Sequence, residues 1–515
     1  MNPDQILVAE QLAAAALQPL PAGDAASRER LLDLTRQALG LGLAAQAVPV
    51  LHGLAKVYPN DPEVALVRGV ALRREQRFVE AAEVFAGALA AGVESPALRE
   101  GLAQTHFELG RPAAELFGEA RRCSPANLAL LRNHALALVA EGERDQAEAM
   151  LEEAVVANPS WLDGHRALSV IRWTAGDQAR YAESYAGAAA QQPNDLDLWL
   201  AWFRALAQIR DWVGARDVLE RAEQRFGNLP ALTVSRLFIA SESGDASETA
   251  RLLNATAGVA GETIDLIRVR HALRRAEPDV AEAVCLGQLL GPAAPLFWPY
   301  LSLAWRLKDD PRAYWIDRPD RLIQPCRVDL SAAELAELAQ LLRELHVMER
   351  PYVEQSVRGG TQTDRSVIQR HEPILQLAKS RWLAAIRDYV DRLPPYEQGH
   401  PLLGLPRTNL LIEGSWSVRL FRQGHNVPHN HPVGWLSTAF YISLPSPQQM
   451  GPDPAGHIAF GTPPEELGLD LQAYATIKPE VGVTAVFPST MWHRTIPFED
   501  GERLVLAMDI ARPRY

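Results

Sequence analysis

His429-Asn430-His431, the later His493, and Arg503 ten residues beyond it are the residues of this chain best suited to chemistry. Two histidines separated by one residue place both rings on the same face of an extended strand. A third, distant histidine brought alongside by the fold completes a set of three imidazoles. Such a set holds a divalent transition metal and leaves other coordination positions open. An arginine about ten residues after the distal histidine sits one strand on and points into the same interior. There its planar fork takes a carboxylate through two parallel hydrogen bonds, a contact contributing roughly 1.5–3 kcal/mol. His429, His431 and His493 are therefore the candidate ligands, and Arg503 the candidate anion anchor. His425 and His457 are the competing ligands nearby.

The surrounding elements are of the kind that can position such a group. From residue 408 onward the chain breaks into short β-type segments separated by Gly and Pro: 415–421, 435–444, 456–460, 482–487 and 503–510. Many short strands with turn signals predict a sandwich or barrel. Trp416, Trp435, Phe440, Tyr441 and Trp492 fall around the histidines and read mainly as its core. Upstream, Ser331 and Glu334 form a capping-box pattern ahead of a helix over 332–346. A second helix over 372–393 aligns Leu375, Ala378, Trp382, Ile386, Tyr389 and Leu393 on one face. Between the two helices, residues 355–363 (Gln-Ser-Val-Arg-Gly-Gly-Thr-Gln-Thr) read as a polar, Gly-rich loop, either a surface turn or a wall of the site. Asp309, Asp310, Pro311, Pro319 and Pro325 mark a boundary before this region, with a loosely alternating stretch at 321–330.

The first three hundred residues are different. Gly142, Gly176, Arg210 and Gly244 recur every thirty-four residues. Small or aromatic residues follow in phase: Ala147, Tyr181 and Ala215 five positions on, and Ala154, Ala188 and Ala222 twelve positions on. Pro159 and Pro193 close their units. A turn residue, then small residues that let a second helix approach, then a proline stop describe a helix–turn–helix unit. The frame extends back to Gln76 with Ala81 and Ala88, more loosely to Gly110, and fades after Gly244. A thirty-four-residue unit with this signature resembles the tetratricopeptide repeat, over roughly residues 30–260. Such arrays form a concave groove, which in that family commonly binds peptides or partner proteins. His52, His106, His134 and His165 lie at helix positions without metal spacing.

Bulk composition bounds the remainder. A chain of 515 residues exceeds one hydrophobic core and predicts several domains. The net charge of −12 argues against a nucleic-acid partner, which needs a basic face. The sequence has no apolar run long enough to span a bilayer and no basic segment ahead of an apolar one that would act as a signal peptide. Cys123, Cys285 and Cys326 form no metal-spaced pair and no disulfide framework, which predicts a reducing, cytoplasmic setting.

From about Arg321 the chain resembles the 2-oxoglutarate, Fe(II)-dependent oxygenases found fused to tetratricopeptide repeats in bacteria. The segments carrying the resemblance are 355–363, Trp416-Ser417-Val418-Arg419-Leu420, His429-Asn430-His431-Pro432 through Trp435, Phe487-Pro488-Ser489 through His493, and the strand opened by Arg503. The resemblance implies a multidomain chain: an all-α repeat solenoid over 1–310, then a double-stranded β-helix, or jelly roll, with flanking helices over 321–515. It also implies Fe(II) on His429, His431 and His493, 2-oxoglutarate on Arg503, and O2 as oxidant. Tyr441 and Arg419 are further candidates to touch 2-oxoglutarate. The implied activity is a dioxygenase, a hydroxylase acting on a protein or peptide that the repeat groove recruits. One departure stands out, because the superfamily's second ligand is usually Asp or Glu and here it is His431. A neutral ligand leaves Fe(II) and doubly negative 2-oxoglutarate close to neutral together. Two other readings stay open: a cupin-type three-histidine dioxygenase that uses no 2-oxoglutarate, and a non-catalytic repeat protein with a degenerate barrel. Within the resemblance itself, the alternative ligand set is a two-histidine site in which water or another group stands in place of His431.

Overall fold

The computed structural model describes residues 3–17, 24–348, 350, 352–353, 355–363, 366–407 and 409–513. Helix–turn–helix pairs run from Ala25–Gly40 with Ala44–Val57 through to Glu262–Arg274 with Pro278–Gln288. The first helix of each pair is followed by a residue of positive φ: Gly42, Gln76, Gly110, Gly142, Gly176, Arg210, Gly244 and Ala276. Two backbone hydrogen bonds tie off the helix there. Around Gly142 they run from Glu143 N–H to the Leu138 carbonyl (2.8 Å) and from Gly142 N–H to the Val139 carbonyl (3.1 Å). This left-handed cap satisfies carbonyls that a helix end would otherwise leave open. The small residues five positions on, Ala81, Ala147, Ala215 and Ala281, are fully buried. The frame thus continues past Gly244 to Ala276 and Ala281. Its sequence signal fades because that step is 32 residues (276 minus 244) and alanine stands in the glycine slot. Among the described residues, no helix is long and apolar enough to cross a membrane.

The chain divides into two compact units: Met1–Leu151 with Ser366–Lys379 and Pro513–Tyr515, and Glu152–Arg365 with Ser380–Arg512. In the first unit the fully buried Phe85 ring lies against the backbone of Gly69 and Gly101, positions where side chains would collide with it.

The second unit contains the strands β1 (Gln324–Arg327), β2 (Val357–Gln362), β3 (Ile412–Asn426), β4 (Gly434–Ser443), β5 (Ile458–Phe460), β6 (Ala475–Ile477), β7 (Val483–Pro488), β8 (His493–Thr495) and β9 (Arg503–Ala511). One antiparallel sheet runs β1-β7-β4-β9-β3-β2 and a second runs β6-β5-β8. Their inner faces meet, for example where the Phe460 and Phe487 rings lie 4.9 Å apart, which is jelly-roll architecture. Residues 357–362, read from sequence as part of a loop, are instead the edge strand β2. Pairing with β3 outweighs their poor strand composition, and Gly359, at φ 67°, absorbs the register shift between Arg358 and Gly360.

Helices cover the outside of this domain. Helix Ala332–Glu344 starts at the expected capping box, with both of its hydrogen bonds formed. Helix Pro373–Asp391 brings Trp382 onto the large sheet, where its indole N–H donates to Thr484 (3.0 Å) and its ring meets Phe440. At the other side, the Trp492 indole donates to the Pro299 carbonyl (3.1 Å) in helix Ala294–Leu307. Phe297, Trp298 and Trp305 join Leu467 and Trp492 in one buried cluster.

Candidate metal centre

The fold explains how histidines far apart in sequence meet. His429, between β3 and β4, and His493, at the start of β8, form a two-way backbone bridge: His429 N–H to His493 O (3.0 Å) and His493 N–H to His429 O (2.9 Å). Two residues on, the His431 N–H donates to the Ser489 carbonyl (2.8 Å). The ring centroids lie 4.2 Å apart for His429 and His493, 5.0 Å for His429 and His431, and 5.2 Å for His431 and His493. One nitrogen of each ring lies within 4.8 Å of the other two.

The hydrogen bonds fix which nitrogens these are. Each Nδ1 faces an acceptor: the Val427 carbonyl (2.8 Å) for His429, the Met491 carbonyl (3.0 Å) for His493, and the Asp509 carboxylate (2.8 and 2.9 Å) for His431. Each Nδ1 therefore carries the proton, and Nε2 is the atom available to ligate; that of His429 faces the Ser356 hydroxyl at 3.3 Å. Burial, followed by the His431 ring, pushes His429 down to about 3. Burial and the two neighbouring rings hold His493 well below the ordinary histidine range. Both are neutral at physiological pH, the form a metal requires. His425 and His457 lie outside the group. The His425 Nδ1 faces the Gln423 carbonyl, and His457 pairs with Asp453 at 3.0 Å.

A cavity of about 50 Å³ between the sheets is bordered by the three histidines, Phe487, Val505 and Arg503. Arg503 is 2% exposed, and its guanidinium lies 5.1 Å from the centre of the Tyr441 ring. The buried Arg503 Nε and Tyr441 hydroxyl have no hydrogen-bond partner, and Arg503 makes no ion pair among the described residues. A buried guanidinium without an anion is costly, so its surroundings suit a carboxylate ligand. Arg419 is not brought to this cavity. Strand alternation turns it to the opposite face of β3, where it donates to Glu502 (2.6 Å), which also accepts from Arg343 (2.7 Å). Asp509 and Ser437, which the sequence reading missed, do reach the group. Ser437 donates to Asp509 at 2.6 Å.

A second, larger cleft of about 1160 Å³ opens on His429 and His431. Its walls include Trp212 and Phe238 from the repeat helices, Tyr352, Arg358 from β2, and Trp416. Trp416, His429 and His431 border both the cleft and the small cavity.

Residues 414–509 match the family described as "Putative 2OG-Fe(II) oxygenase". All three histidines, Arg503 and Asp509 fall inside that span. The solved structures that resemble the chain cover its repeats. One is a tetratricopeptide repeat protein from Parabacteroides merdae, with 16% identity over 46% of this chain and 96% of that one, at a TM-score of 0.30. Another is a thermophilic tetratricopeptide protein of Thermus thermophilus, with 24% identity over 35% of this chain and 98% of that one, at a TM-score of 0.28. No curated protein matches the sequence.

Proposed function

We propose that residues 321–515 form an Fe(II)- and 2-oxoglutarate-dependent dioxygenase, and that residues 1–310 form a repeat array that presents it with a protein or peptide to hydroxylate. In this reading His429, His431 and His493 hold iron through Nε2, and Arg503 takes the far carboxylate of 2-oxoglutarate with Tyr441 beside it. When bound, iron and co-substrate activate O2: one oxygen atom enters 2-oxoglutarate as it loses CO2 to become succinate, and the other enters a substrate C–H bond as a hydroxyl. The chain's own part is positional. The three Nδ1 hydrogen bonds hold the rings to one point. Phe487 and Val505 wall the cavity against water. Trp416, shared by both spaces, stands where a substrate side chain would pass from cleft to cavity. Free Cys123, Cys285 and Cys326 fit a cytoplasmic setting.

Arg503 carries the reading, as a buried cation with an unpartnered Nε beside a ready-made ligand group. A cupin-type site using no 2-oxoglutarate leaves that cation without a role. The test is titration of the Mn(II)-loaded protein with 2-oxoglutarate. Arg503→Ala is expected to weaken binding about 10- to 150-fold, the equivalent of one charge-assisted contact of roughly 1.5–3 kcal/mol. Equal binding by Arg503→Ala overturns the anchor, and no binding by the wild type overturns the dioxygenase.

A further inference from the structure

The three histidines are not equivalent. His429 and His493 direct Nδ1 to backbone carbonyls, which orient the rings but carry no net charge. His431 directs Nδ1 to a carboxylate, with both Asp509 oxygens within 2.9 Å. Asp509 is 8% exposed and makes no Lys or Arg ion pair among the described residues. Its other partner is the neutral Ser437 hydroxyl (2.6 Å), which lies 2.9 Å from the Ser489 hydroxyl. A carboxylate this buried, with no Lys or Arg beside it, is unfavourable unless positive charge arrives close by. The ligand group shows the complementary deficit: three imidazoles that would surround a divalent cation, with no acid among them.

We infer that Asp509 is the missing acid of this centre, moved one hydrogen bond outward: through His431 it supplies the negative charge that a directly ligating carboxylate would bring. This rests on the metal-centre reading above. Asp509 fixes His431 in the Nδ1–H tautomer and makes its Nε2 the most basic donor of the three. β4 and β9 place Ser437 and Asp509 in register, and His431 lies in the turn just ahead of β4. Asp509 is thus a positioning and charge-supplying residue, not a ligand.

The test is Co(II) titration of the purified full-length chain, followed by visible absorption, with the thermal stability of the metal-free protein measured alongside. Asp509→Asn keeps the shape and an acceptor oxygen but loses the charge. It is expected to bind Co(II) about 10- to 100-fold more weakly with metal-free stability unchanged, and Asp509→Glu is expected to recover part of the loss. His431→Ala also weakens binding, and adding Asp509→Asn to it changes nothing further. Wild-type affinity in Asp509→Asn overturns the proposal. So does a loss of the same size when Asp509→Asn is placed in the His431→Ala background, since Asp509 would then act by another route. If Asp509→Asn does not fold, the Zn(II)-loaded wild type decides: a protected His431 Nδ1–H proton resonance, furthest downfield of the three histidines, supports the proposal, and its absence overturns it. A wild type that takes up no Co(II) removes the metal centre itself, an outcome distinct from a metal site indifferent to Asp509.

Discussion

Asp317 shows how a single buried side chain ties stability to pH. It is 5% exposed and accepts from Ser302 (2.6 Å), and burial pushes its carboxyl up to about 6, against the pull of Ser302 and the Arg306 charge. A carboxyl whose folded pKa lies above its unfolded value of about 3.9 stabilises the fold fully below that value, and the contribution is lost as pH rises through about 6. Asp317→Asn keeps the acceptor and removes the ionisation. It is expected to match the wild type at pH 4 and to exceed it by about 2–3 kcal/mol at pH 7.5, two pKa units being worth about 2.7 kcal/mol. Denaturant unfolding at the two pH values measures this, and a constant difference between them refutes it. Legibility at this scale depended on spacing. The i, i+2 histidines and the late arginine announced themselves. Asp509 did not, because it lies 78 residues from His431 and only the β4–β9 register joins them. Arg419 was misread although its strand carried the signal: Trp416, Val418 and Leu420 alternate as the apolar face, which puts Arg419 on the other side.

The repeat pairs were legible where the thirty-four-residue step held, even with Arg210 in the left-handed position, and lost phase where Ala276 stood at an irregular step. Closure of the helices onto one another has a sharper requirement at Phe85. A methyl group at Gly69 would run into the Phe85 ring, and the ring cannot retreat because Gly101 lies on it from the next helix. In an open helix Gly→Ala is favourable by about 0.8–1 kcal/mol, while forcing a methyl into a filled core costs about 1–3 kcal/mol. With the ring held on both sides the second effect wins. Gly69→Ala is expected to destabilise the first unit by about 1–2 kcal/mol in denaturant unfolding. Phe85→Leu placed in the same chain should return part of that loss by making room. If Gly69→Ala is as stable as the wild type, the ring has slack that the close contacts deny. The edge strand β2 was hidden for a related reason: Arg-Gly-Gly-Thr has little intrinsic strand preference, and its conformation comes from β3 beside it.

The division of the whole molecule is the least visible feature in one dimension. A repeat period shows that helices stack, but not which of them share a core with the strands. The helices from Leu162–Thr174 through Ala332–Glu344 belong to the same compact unit as the strands. Trp492 on the Pro299 carbonyl and Arg274 on the Glu466 carbonyl (3.0 Å) tie repeat helices to loops of the β-domain. The cleft that results is bordered by Trp212 and Phe238 from repeat helices as well as by His429. For a polypeptide bound there, Trp212 should govern substrate capture without touching co-substrate binding, since Trp212 borders the cleft but not the small cavity. Trp212 is only partly buried at the edge of its core cluster, so its loss is tolerable to the fold. An aromatic anchor at a protein interface typically contributes 2 kcal/mol or more, about a 30-fold loss of capture on truncation. Trp212→Ala is therefore expected to bind 2-oxoglutarate with Mn(II) as the wild type does. In cells it should strongly reduce any polypeptide modification by a single oxygen atom that depends on intact His493, as read by mass spectrometry against a His493→Ala control. A modification pattern unchanged by Trp212→Ala would place substrate selection elsewhere than on the repeat side of the cleft.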